Sequence, residues 1–187
     1  MKIFLSDQQR NFPQLLAELI RLPVSDTSEV MLVNKKSSIE IAAGPLDKVN
    51  FDVLFDYRIF PPNIMSHLAV WTVEGREMRV GDTILQQVHV PPFRTVSQKI
   101  IFGVRVDRII DEPGRKGFSY STLEGHVETG TSIFTFESEN GKNFFRIETF
   151  SAPGNLLSKL TGPFFARPYQ GFCTKKALQY VKRQVFK

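Results

Sequence analysis

Hydrophobic positions along this chain change their spacing twice. Between residues 12 and 22, Leu15, Leu16, Leu19 and Ile20 fall on one helical face. Asn11 stands as N-cap, Pro13 lies in the first turn, where its missing N–H costs little, and Pro23 stops the helix. Residues 24–36 are polar and irregular. Ser38-Ile39-Glu40-Ile41-Ala42 alternates and predicts a short strand, broken by Gly44-Pro45. Pro45 also suits the start of a second helix to about residue 57, with Leu46, Val49, Val53 and Leu54 on one side. Pro61-Pro62 closes this unit.

From about residue 65 to 151 the pattern becomes that of strands, predicted at 67–73, 82–90, 98–110, 117–123, 131–137 and 143–150. Ile100, Phe102, Val104 and Val106 show the period of two most clearly. Asn140-Gly141 between the last two strands is the strongest short hairpin signal, because both residues tolerate positive φ. Residues 154–187 return to helical character, interrupted by Pro163 and Pro168. Cys173, Ala177, Val181 and Val185 form an i, i+4 stripe there, with Lys175, Gln179, Lys182 and Arg183 opposite. The order predicts an α+β fold, with helices segregated to one face of a curved antiparallel sheet of about six to seven strands.

Composition narrows the class. At 187 residues, 42% hydrophobic and 23% charged, the chain is expected to form one globular domain, 1–187. Within it, 1–36 reads as a helical extension on a core of 37–187. No apolar run is long enough to span a membrane, and Ser6-Asp7-Gln8-Gln9-Arg10 ends the N-terminal apolar stretch too soon for a signal peptide. With one cysteine, Cys173, no internal disulfide forms, and a cytoplasmic location is expected. The net charge of +5 is unevenly placed, since seven basic and no acidic residues follow Glu148. That basic segment suits either the last turns of a helix or peripheral contact with an anionic membrane. Nucleic acid is a poor expectation, because the basic residues are not interleaved with the strand aromatics.

Known catalytic signatures are missing. His67, His89 and His126 lie on three separate segments without metal-ligand spacing, so no metal is expected, and no phosphate-binding glycine motif implies a nucleotide cofactor. Cys173 falls on an apolar stripe and reads as a core residue. The polar stretch from Tyr120 to Gly130 is the one constellation with chemical potential. In an extended segment His126 and Glu128 share a side, so a carboxylate–imidazole pair would serve as general base, or the two would simply cap a polar loop. The chain also holds 17 Phe. Phe102, Phe134, Phe136 and Phe145, with Trp71, Tyr120 and Thr122, would give the concave side of the sheet a bulky apolar lining, either an ordinary core or a ligand pocket.

The segment Phe118-Ser119-Tyr120-Ser121-Thr122-Leu123-Glu124-Gly125-His126-Val127-Glu128-Thr129-Gly130, followed by Phe150-Ser151-Ala152-Pro153, resembles a family of bacterial and plant proteins of unassigned activity. That family's pattern is Tyr-Gly-Thr-Leu-x-Gly-His-x-Glu-x-Gly-Glu, then Phe-Ser-Arg-Pro. Residues 44–61 are similar to the helix after the first strand in START-like, pollen-allergen-type helix-grip proteins. Here Ser121, Thr131 and Ala152 replace the family's glycine, glutamate and arginine, which removes both partners of an ion pair. The resemblance implies a helix-grip (START-like, SRPBCC) fold, its sheet wrapped around a long C-terminal helix. It also implies a hydrophobic small molecule or lipid held between sheet and helix. The expected lining is Trp71, Phe102, Tyr120, Thr122, His126, Phe134, Phe136 and Phe145. The alternative is a cyclase- or hydrolase-like enzyme on such a ligand, using His126 and Glu128.

Overall fold

The computed structural model describes residues 1–43, 45–92, 97–153 and 163–185. Its elements are β1 (Lys2–Phe4), α1 (Phe12–Leu19), β2 (Val33–Ala43), α2 (Asp52–Phe55), β3 (Met65–Ala69), α3 (Val70–Glu74), β4 (Thr83–Val90), β5 (Gln98–Glu112), β6 (Arg115–Thr122), β7 (Glu128–Glu139), β8 (Lys142–Pro153) and α4 (Pro163–Gln184). One antiparallel sheet runs β2-β8-β7-β6-β5-β4-β3, with β1 paired to β5. The α+β class and the long C-terminal helix match the sequence reading. The predicted hairpin forms at Asn140 (φ 52°) and Gly141 (φ 74°), joining Glu139 to Lys142 across β7 and β8.

Several boundaries differ, each for a local reason. The helix expected over 45–57 is two short turns, because Val49 is extended and the Asn50 side chain accepts the Asp52 N–H at 2.9 Å, restarting the chain at α2. The strand expected over 67–73 ends at Ala69, whose partner Ile84 is near the start of β4, and the chain turns into α3. Trp71 is therefore a helical residue. Residues 1–36 hold more than a helix. Since β6 pairs β5 only as far as Val104, the edge of β5 at residues 99–101 would be open, and β1 fills it. Strand β2 likewise begins at Val33 rather than Ser38. Helix α4 runs unbroken from Pro163 through Pro168, whose missing N–H removes one helical bond. Residues 154–162, where helical character was also expected, lie outside the described residues, as does the break at Gly44.

The sheet has two unlike faces. On one, Phe118 stacks on its register partner Phe134 (centroids 5.4 Å apart) and Phe136 meets its partner Phe145 at 5.5 Å. Ala177 and Val181 of α4 and Val53 and Leu54 of α2 bury themselves in this core, and Trp71 joins it. On the opposite face, Phe12, Leu15 and Leu16 of α1 cover Leu85 and Ile101 in a smaller cluster. Of the seven basic residues after Glu148, Lys175, Lys176, Lys182 and Arg183 project from the described part of α4.

Candidate functional site

The core face is packed along only half its length. Successive core-facing residues of β7 run Phe136, Phe134, Ser132, Gly130, and those of β8 run Phe145, Ile147, Thr149, Ser151. Bulk falls away in the same direction on both strands, and the space left is a cavity of about 200 Å³ between the sheet and residues 169–174 of α4. Void space survives in protein interiors only where neighbouring backbone cannot collapse into it, and a sheet braced by a long helix is such a frame.

Of the residues expected to line a pocket, Phe102, Tyr120, Thr122, His126 and Phe134 do so, as does Glu128. Trp71, Phe136 and Phe145 do not. Phe136 and Phe145 are fully buried in the filled half of the core, and Trp71 is held away from the cavity on α3. Ser132, Thr149, Ser151, Gln86, Tyr169 and Gln170 line it without having been expected. The matching size gradients on β7 and β8 are the signal that would have found the first three.

The polar groups are spaced around the wall. At one side the Gln86 amide donates to the Tyr57 hydroxyl at 2.5 Å, beside Tyr120, and burial raises both phenols above their ordinary range. Both stay neutral and serve as hydrogen-bonding groups only. At another side lies His126. Its carboxylate pairing is not made: His126 sits in the turn before β7, its N–H on Leu123 O, and its ring folds back on the Glu128 backbone. Nδ1 lies 2.9 Å from the Glu128 carbonyl oxygen and 3.0 Å from the Glu128 N, and the ring meets Phe102 with centroids 4.1 Å apart. Burial pushes the imidazole down to about 3.

Such a depressed value has a consequence for stability. The unfolded chain takes up a proton near 6.5 while the folded chain does not, so the His126 contribution is complete above 6.5 and is lost as the pH falls towards 3. His126→Gln is expected to flatten the loss of melting temperature between pH 6.5 and 4. Parallel curves for variant and parent would contradict the neutral imidazole.

The Glu128 carboxylate points to α4, where it accepts the Gln170 Nε2–H at 2.8 Å, and Gln170 Oε1 accepts Lys35 Nζ at 2.6 Å. Burial raises the Glu128 carboxyl, partly offset by the Lys35 charge. Tyr169 donates to His89 O, so two adjacent residues tie α4 to the sheet across the cavity. Burial pushes the Cys173 thiol up to about 11, which leaves it protonated and unsuited to nucleophilic attack. Among the described residues no three His, Cys, Asp or Glu side chains cluster as metal ligands, and no helix is long and apolar enough to cross a membrane.

Comparison with known proteins agrees with this architecture. A family model described as "Domain of unknown function (DUF1990)" matches residues 46–180, most of the chain. A UPF0548 protein of Deinococcus radiodurans is 33% identical over 82 residues, 43% of this chain. The match spans only 39% of that relative's length. Ginseng major latex-like protein 151 from Panax ginseng superposes with a TM-score of 0.57 at 11% identity, over 84% of this chain and 100% of its own. The di-domain ARO/CYC StfQ from the steffimycin biosynthetic pathway gives 0.58 at 9% identity, over 83% of this chain and 51% of its own. At such identities the likeness is one of fold, the helix-grip arrangement of sheet and C-terminal helix.

Proposed function

This chain belongs to the DUF1990 family, and we propose that it binds a hydrophobic small molecule or lipid in the cavity between the sheet and α4. The observation that carries this reading is the half-filled core face. Aromatic side chains pack one end solidly, and Ser132, Gly130, Thr149 and Ser151 leave the other end open. A concave, mostly apolar space with a few polar groups is the usual form of a small-molecule site. Phe60, Ile64, Val88, Ile100, Phe102 and Phe134 offer the apolar surface, and the driving force is its removal from water together with that of the ligand. Tyr120, Gln86 and His126, all on the cavity wall, would orient a polar group of the ligand.

General-base catalysis by His126 is the weaker reading. Its imidazole has no carboxylate partner among the described residues and holds a proton too weakly to remove one from a substrate near neutral pH.

Native mass spectrometry of the purified full chain tests the binding reading. The expected spectrum shows a one-to-one apolar adduct, either carried through purification or formed on incubation with 1-decanol, and lost on organic extraction. A bare mass under both conditions would contradict the proposal.

A further inference from the structure

We propose that the ligand is an anionic amphiphile, its apolar part in the cavity and its anionic head between Lys35 and Lys175. This rests on the binding reading above. A second cavity of about 400 Å³ lies between α4 and strands β2 and β8, and it abuts the first at Ile147, Thr149, Gln170 and Thr174. Lys35 and Lys175 line this outer space, and among the described residues no carboxylate does, whereas the inner cavity holds Glu128. The two spaces thus differ in charge as well as depth: apolar with one carboxyl inside, cationic outside.

Lys35 occupies a telling position. Along β2, Lys35 shares its face with Ser37, Ile39 and Ile41, the face covered by α4, while Asn34 on the other face reaches Glu148. Lys35 is exposed at the rim of this face, so its ammonium is open to a ligand in the outer cavity. Among the described residues neither Lys35 nor Lys175 is in an ion pair, and the Lys35 ammonium donates to the neutral amide of Gln170. An anion placed here would gain two charge-assisted contacts, which are about twice as strong as neutral ones. The Glu128 carboxyl would repel the same anion from the inner cavity, which fixes the ligand's direction: tail in, head out. The head's own chemistry is common to a carboxylic acid and a phosphate monoester. Because β2 is an edge strand, an inward lysine would also discourage edge-to-edge pairing. That role alone requires no preference for any head group.

Titrations of the full chain with 1-decanol, decanoate, decyl phosphate and decyltrimethylammonium, which share one tail, separate these cases. The anions are expected to bind about tenfold more tightly than decanol, and the ammonium most weakly. Lys35→Gln with Lys175→Gln should bring the anions to the affinity of decanol and leave decanol itself unchanged, which also shows that the variant is folded. Tighter decanoate indicates a carboxylic acid and tighter decyl phosphate a phosphate monoester, and either result supports the proposal. Equal affinity for decanol and the anions, or an anion preference that survives the double substitution, overturns the head-group assignment and leaves the cavity reading intact. If none of the four probes binds, the cavity reading itself falls.

Discussion

Gly130→Ala is expected to lower stability by about 4 kcal/mol, or roughly 10 °C in melting temperature for a chain of this size. Gly130 lies opposite Ser151 in the β7–β8 pair with φ at +151°, and its N–H donates to Thr122 Oγ1 at 3.1 Å. A Cβ at this position would stand 1.9 Å from Phe150 O and 2.8 Å from Ser151 Cα. Both obstacles are backbone, so no rotamer change relieves them and the two strands must separate. That separation would disturb the floor of the cavity, since Gly130 and Ser151 both line it. Gly141→Ala supplies the comparison. Its φ is +74° but nothing lies within 4 Å of the added carbon, so only backbone strain of about 1 kcal/mol is expected. Thermal unfolding of both variants checks the contrast, and equal losses would mean that the close approach at Gly130 is relieved at little cost.

Ser132→Trp should remove ligand binding. Ser132 is the position on β7 where bulky side chains give way to small ones, opposite Tyr120 on β6 and Thr149 on β8. An indole directed from this position occupies most of a 200 Å³ space. The expected loss of affinity for 1-decanol is at least about a hundredfold, equivalent to about 2.7 kcal/mol. Stability should change by only about 1–3 kcal/mol, because the new side chain enters a void rather than a packed core. Ile133→Trp places the same bulk on the opposite face of the same strand and should leave binding unchanged. Calorimetric titration of the two variants reads this directly. A Ser132→Trp protein that binds as the parent does would place the ligand elsewhere.

How far these features can be read from sequence depends on how local their causes are. The alternation through Ile100, Phe102, Val104 and Val106, and the Asn140-Gly141 turn, are settled by neighbouring residues, and both appear in the fold as expected. The stripe of α4 is equally local, with Ala177 and Val181 fully buried. Strand β1 is not local at all. Its place exists because β6 stops opposite Val104, a hundred residues away along the chain. The cavity is less legible still. Phenylalanines suggest a pocket by their presence, yet Phe136 and Phe145 fill the core, and the open end is made by missing side-chain volume on paired strands. The His126–Glu128 spacing misleads for a related reason. The two-residue rule holds inside a strand, but His126 belongs to the turn that precedes β7, so its ring meets the Glu128 backbone and the carboxylate is left to Gln170.

On the function proposed above, this sheet and helix enclose a site for an apolar molecule. Isotope-labelled isoleucine methyl groups report on it directly, because Ile64, Ile100 and Ile147 line the cavity while Ile101 belongs to the cluster under α1 on the other face. With 1-decanol added, intermolecular nuclear Overhauser effects are expected from the decanol chain to Ile64, Ile100 and Ile147 and not to Ile101. Contacts to Ile101 alone, or none to any isoleucine at saturating decanol, would mean that the cavity does not hold the molecule.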